Sequence, residues 1–247
     1  TDEGVVTRPA VGEEDVSVTL TATLSLAGET FTRDYVLIVK AVPKTATYFE
    51  YGFDGNLNEK NDISFNATTT EDRLHLPGGN EIYQEGIIGD AFYFDGSTGI
   101  RLPNDMISSN EYTVSFWINA ETLENNTPGF FGAKHLEKWL SILPAGHDGN
   151  AMSWSGTAWY DATSGIRLAT NRWYHYALTV DNGAIRFYLA GEEVFSGVGF
   201  PNVFEGSEIG EFGLGVNYWD TPFKGLIDEL IVYPQEAQSE AAIKAYY

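Results

Sequence analysis

The chain has 247 residues, no cysteine and a formal net charge of −21 at pH 7. That length suits one large β domain plus a fragment of another. The absence of cysteine excludes disulfides and thiolate-bound metals, and the charge excludes polyanionic partners, nucleic acid and an anionic membrane surface alike. No apolar run approaches the ~18 residues of a membrane span, and the first residues show neither the basic nor the apolar part of an export leader.

Residues 1–43 read as the second half of a small β domain. Val16, Val18, Leu20, Ala22 and Leu24 alternate with Ser17, Thr19, Thr21 and Thr23, Ala27-Gly28-Glu29 supplies a turn, and residues 31–39 alternate again. A lone hairpin is marginal in water and has two open edges, so these strands need partners. The run that contains GVVTRP and VTLTATL resembles the C-terminal part of atrophied bacterial immunoglobulin-like domains, the spacers between modules of secreted glycan-processing enzymes. This resemblance implies upstream domains of a longer parent chain, or a companion fragment, that complete the sheet. It also implies an extracellular or cell-surface, bacterial protein. Pro43 to Thr47 reads as the linker.

From Tyr48 one pattern holds to the end: short alternating stretches punctuated by Gly, Asn and Asp. Many short strands with regular turns indicate an antiparallel sandwich. Asp181-Asn182-Gly183 predicts a tight hairpin, because Asn-Gly accepts positive φ. A short helix is expected only near Gln238–Tyr247, with Ser239 as its N-cap. Phe53-Asp54-Gly55-Asn56-Leu57, Gly89-Asp90-Ala91 through Phe94-Asp95-Gly96, and Tyr112 through Trp117 come first in a longer order. Trp173 through Ala177, Phe187 through Gly191 and Phe223 through Glu229 follow. In this order the pieces resemble the laminin-G-like, concanavalin A-type jelly-roll domains of bacterial secreted proteins, an all-β antiparallel sandwich spanning residues 48–247. Ala190 departs from the Asp or Asn that the family places before its hairpin glycine.

In the closing stretch, strict alternation puts Leu226, Asp228, Leu230 and Val232 on one strand face. A carboxylate in an apolar row costs several kcal/mol unless it is paired, hydrogen-bonded or metal-bound. The family resemblance implies a calcium ion between the first FDG-type loop and this strand, with Asp54 and Asp228 as carboxylate ligands and Asn56, Glu59 or Asn61 contributing from the loop. Residues 59–64 replace the family's D-x-S-G-N-G pattern. The other reading is that Asp54 and Asp228 only cap turns by accepting backbone hydrogen bonds.

Sugars present C–H faces that pack on aromatic rings and hydroxyls that need fixed polar partners. Two stretches read as loops with that composition, His147–Asp161 and Asn217–Asp220, and they make Trp154, Trp159, Tyr160, Tyr218, Trp219 and Asp220 candidate ligand-binding residues. Phe116, Trp117, Trp173 and Phe187 lie in alternating strand patterns and read as core, while Trp139 suits either role. Retaining glycosidases need two carboxyls ~5 Å apart. No run of acids two or four apart on one strand offers that pair, since Asp228 and Glu229 are adjacent and therefore opposed. His175 reads as structural. The expectation is a noncatalytic, carbohydrate-binding module that holds a secreted glycan-degrading enzyme, of arabinanase or xylosidase type, on a polysaccharide or oligosaccharide. The rival is a structural or protein-interaction module whose tryptophans pack against a catalytic domain.

Overall fold

A computed structural model describes residues 16–39, 48–61 and 63–247. The GVVTRP motif, the Pro43–Thr47 linker and Asp62 lie outside the described residues. The chain divides into two compact units, Thr1–Ala46 and Thr47–Tyr247. In the first, β1 (Val16–Leu26) and β2 (Glu29–Val39) pair antiparallel, from Val16↔Val39 to Leu26↔Glu29. Ala27 and Gly28 turn the hairpin with φ of 52° and 89°, both positive as two-residue hairpin turns of the primed type require. Leu20, Leu24, Phe31, Val36 and Ile38 are all exposed, so the described hairpin encloses no core of its own.

The second unit is a two-sheet sandwich. Its first strands are β3 (Phe49–Tyr51), β4 (Thr68–Thr70), β5 (Tyr83–Glu85), β6 (Asp90–Asp95), β7 (Gly99–Leu102), β8 (Glu111–Ala120), β9 (Phe130–His135) and β10 (Lys138–Leu143). There follow β11 (Met152–Ser155), β12 (Tyr160–Thr163), β13 (Trp173–Asp181), β14 (Ala184–Leu189), β15 (Glu192–Gly197), β16 (Glu211–Leu214), β17 (Lys224–Tyr233) and the helix α1 (Glu240–Tyr246). One sheet has the order β12-β11-β10-β9-β16-β7-β4; the other has β15-β14-β13-β8-β17-β6-β5, with β3 also paired to β17.

The core lies between these sheets and follows the period-two pattern of strands. Tyr112, Val114, Phe116, Ile118 and Ala120 of β8 face it together with Tyr176, Leu178 and Val180 of β13 and Ile185 and Phe187 of β14. The Asn182-Gly183 turn forms as expected, with φ of 47° and 93°. Ser239 Oγ accepts the Ala242 N–H at 3.3 Å and caps α1, which buries Ile243 against Ala177 and Tyr188 on the outer side of the second sheet. Trp117 and Trp173 differ from expectation. Both are only half-buried, and Trp117 faces outward, its ring 5.2 Å from His175 and 5.7 Å from Tyr247.

The closing strand also departs from strict alternation. β17 carries a bulge between Asp228 and Ile231, with Glu229 in the left-handed region at φ 47°. One extra residue resets the phase. Ile227 therefore enters the core before the bulge and Leu230 and Val232 after it, while Asp228 is opposite Trp117 on the side away from the core. Asp228 does not share a face with Leu230 and Val232. It is nonetheless fully buried, because the turn around residues 86–90 covers it.

Candidate functional site

On the outer face of the seven-stranded sheet, register places Asp161, Trp154, Ser141, Phe131, Gly213, Arg101 and Thr68 in one transverse row from β12 to β4. Trp139, in the adjoining row, is 5% exposed and floors a cleft of about 680 Å³ walled by Leu136, Glu137, Trp154, Trp159 and Trp219. The indoles brace one another edge to face. Trp139 lies 5.0 Å from Trp154 at 87° and 5.7 Å from Trp219 at 65°, the geometry that ring quadrupoles favour. Gly156 is needed beneath them, since a Cβ there would fall 2.2 Å from the Trp139 ring.

The cleft's rim is presented at a cost. Ala158 and Trp159 have φ of 57° and 48°, a conformation costing non-glycine residues roughly 1–2 kcal/mol each. Trp159 nevertheless stays 70% exposed and Trp219 39% exposed. Trp219 rides on a turn pinned by the buried Asn217. The Asn217 Oδ1 accepts the Trp219 and Asp220 N–H groups at 3.0 and 2.8 Å, and its Nδ2 donates to Asp220 Oδ2 at 2.7 Å. At the opposite rim, His147 Nε2 and Asp161 Oδ2 are 3.1 Å apart beside Trp154.

The expected site residues are thus partly gathered. Trp154, Trp159 and Trp219 converge, although Trp154 lies on a strand rather than in a loop, because residues 152–163 form a hairpin at the sheet edge. Tyr160 does not join them; it points to the other face, packs on Phe200 and donates to the Val198 carbonyl at 3.1 Å. Tyr218 stands behind Trp219 and donates to Glu211 Oε2 at 2.6 Å. Burial raises the Glu211 carboxyl, but Tyr218 and Arg101 outweigh that and hold it below its ordinary value, so it stays ionised. Asp220 serves the Asn217 turn, and burial raises its carboxyl. Trp139, Leu136, Glu137 and Arg101 complete the face. Outward alternation in KWLSIL, read together with a neighbouring strand, is the signal for Trp139; nothing local marks Arg101. His175 is structural, its Nε2 2.8 Å from Ser115 Oγ and its pKa pushed down to about 4 by burial.

The five expected metal ligands occupy the end of the sandwich near β3 and β17. Asp228 Oδ2 accepts the Ile87 and Ile88 N–H groups at 2.9 and 3.2 Å, and its Oδ1 accepts that of Glu229 at 2.8 Å. Asp54 Oδ1 accepts the Asp90 N–H at 3.0 Å. Glu59, 3% exposed, accepts from the N–H groups of Glu50, Asn61 and Ile63. Asn56 closes its own turn onto Asn58 N–H, and Asn61 donates to the Tyr48 carbonyl. The Lys60 ammonium stands 3.3 Å from Glu50, 3.4 Å from Glu229 and 4.0 Å from Asp54. Among the described residues no three His, Asp or Glu converge as a metal-holding group. As placed, with its oxygens turned to backbone N–H groups, this donor set does not fit the six to eight oxygen ligands calcium takes.

A jelly roll with an aromatic cleft on one outer sheet face defines the class, and the family comparison agrees. Residues 94–244 match the laminin-G-like family described as the concanavalin A-like lectin/glucanases superfamily, and the chain belongs to it. Residues 1–42 match the atrophied bacterial Ig domain. Among solved structures, the chain is similar to domain 4 of AbnA, a GH43 extracellular arabinanase from Geobacillus stearothermophilus, in complex with arabinotriose. The identity is 44% and the TM-score 0.77, over 80% of this chain and 96% of that one. The binding domain of Paraclostridial Mosquitocidal Protein 1 aligns at 15% identity and TM-score 0.54, over 80% of this chain and 51% of that one. The binding domain of botulinum neurotoxin serotype D aligns at 17% and 0.51, over 81% and 50%. These two share the fold alone. Comparison with curated proteins returned no match. No helix among the described residues is long and apolar enough to cross a membrane.

Proposed function

We propose that the second unit is a glycan-binding module whose tryptophan cleft takes an arabinose-containing oligosaccharide, serving as an accessory domain of a secreted glycan-degrading enzyme. The observation that carries this reading is the exposure of Trp159 and Trp219 on a braced aromatic floor. Exposed rings offer faces to sugar C–H groups, Glu137 in the cleft lining is a hydroxyl partner, and His147 and Asp161 stand beyond it next to Trp154. Similarity to a domain solved with arabinotriose supports the sugar class. Calorimetric titration with arabinotriose tests it. Saturable binding is expected, weakened about tenfold or more, ~1.4 kcal/mol, in Trp159→Ala and Trp219→Ala. Trp159 is mostly exposed, so its variant should keep the melting temperature, whereas Trp219 packs on Trp139 and Phe131 and its variant should melt somewhat lower. A chain that binds no sugar would favour the interaction-module reading.

We further infer that the cation at the β3–β17 end is the Lys60 ammonium, in place of the expected calcium. Support comes from its three carboxylate neighbours and from its pKa. Burial lowers that value, but Glu229 and Glu50 outweigh the effect and hold it above the usual lysine range. Differential scanning calorimetry should give one melting temperature with calcium and with a chelator, and a lower one for Lys60→Met. A midpoint that falls on chelation would restore the metal.

A further inference from the structure

The aromatic surface does not stop at the tryptophan cleft. Ring neighbours continue from Trp139 to Trp219 at 5.7 Å, to Tyr218 at 5.5 Å and to His75 at 6.4 Å. Beyond His75 a second recess of about 250 Å³ opens between Thr68, Thr70, His75 and Arg101. Thr68 and His75 are exposed. Arg101 is fixed from three sides, donating to Glu211 Oε1 at 2.7 Å, Asn104 Oδ1 at 2.9 Å and the Leu74 carbonyl at 3.3 Å. A guanidinium carries five N–H donors, so Arg101 retains donors while its charge is balanced by Glu211. A charge-balanced recess that sets threonine hydroxyls, His75 and Arg101 beside the apolar Leu74 and Pro77 suits a neutral hydroxyl-bearing unit better than an anion.

We propose that the Thr68–His75–Arg101 recess is a second subsite of one continuous groove, binding a hydroxyl-rich unit of a neutral oligosaccharide whose other end lies in the tryptophan cleft. The proposal rests on the reading of that cleft as a glycan site. Trp154 and Thr68 stand five strand spacings apart along the order β11-β10-β9-β16-β7-β4, roughly 24 Å at ~4.8 Å per strand. A trisaccharide seated in the cleft does not cover that span; a longer chain running over the Trp219 and Tyr218 rings does. The second contact is then intramolecular and raises affinity without a second loss of translational freedom.

The test is calorimetric titration of the full chain with arabinotriose and with arabinohexaose. Arabinohexaose should bind about tenfold or more tightly, beyond the roughly fourfold statistical gain from its overlapping trisaccharide frames. In Thr68→Val with His75→Ala, both exposed positions, that advantage should fall to the statistical gain while arabinotriose affinity is unchanged. Thr68→Val alone provides a second variant; it removes one hydroxyl at an exposed position, and the same selective loss in smaller measure is expected. Equal advantage in wild type and variants, or equal weakening of both ligands, would overturn the second subsite and leave the cleft reading standing. Failure of wild type to bind either ligand would overturn both.

Discussion

At Asp228 two opposing effects act on one buried carboxyl. Burial raises its pKa to about 6, although the N–H groups of Ile88, Ile87 and Glu229 favour the ionised form, and the Glu229 carboxylate adds repulsion. Lys60, Glu50 and Asp54 sit across the same end. Because the folded value lies above the unfolded one, the unfolded chain loses this proton first as pH rises. The resulting destabilisation is absent below about pH 4, grows through the interval, and is complete above about pH 6, on the order of 3 kcal/mol at most. Asp228→Asn removes this falling contribution and leaves the opposite one of His175, so urea-unfolding free energy should rise more steeply with pH between about pH 4 and 6 than in wild type, whatever its offset from lost hydrogen bonds. Equal slopes in the two proteins would show that the carboxyl titrates normally. His175 acts in the opposite sense. Its folded pKa of about 4 lies below the ordinary value, so its contribution is full above about pH 6.5 and is lost as pH falls toward 4.

At the scale of elements, the site depends on turns that hold tryptophans at a sheet face. Asn217 is the clearest such device, and Asn217→Ala removes all three of its side-chain hydrogen bonds. We expect a loss of roughly 1–3 kcal/mol in unfolding free energy and weaker arabinotriose binding through a mispositioned Trp219. Unchanged affinity in that variant would mean that the turn does not position the ring. Elements whose signals are local were legible in the sequence: the Asn182-Gly183 hairpin, the Ser239 cap and the alternating core of β8 and β13. The β17 bulge was not, because one inserted residue leaves the apolar pattern looking regular while reversing its phase. The stretch from His147 to Asp161 read as a loop because its Gly, Asn and Ser content hides a four-residue strand pair at a sheet edge. Trp154, Trp159 and Trp219 could be singled out from their composition, and the structure brings them to one cleft. Trp139 and Arg101 come into the site through strand neighbours distant in sequence, so only the register brings them there.

At the scale of the whole molecule, the two units contrast. The described part of the first is a single hairpin with exposed apolar side chains, while the second carries two sheets around an aromatic core and presents one aromatic face outward. The interior of the second unit accounts for most of its rings, while Trp159 at the tryptophan cleft keeps most of its surface in solvent and meets the chain through Trp139 and Trp154. We infer a division of labour between rings that hold the fold and rings that meet a ligand. Its most direct measurement is the calorimetric titration of arabinotriose into wild type and Trp159→Ala. Saturable binding to wild type is expected, about tenfold or more weaker in the variant, at equal melting temperatures. Equal affinity in both proteins, or loss of binding accompanied by a lower melting temperature, would contradict it.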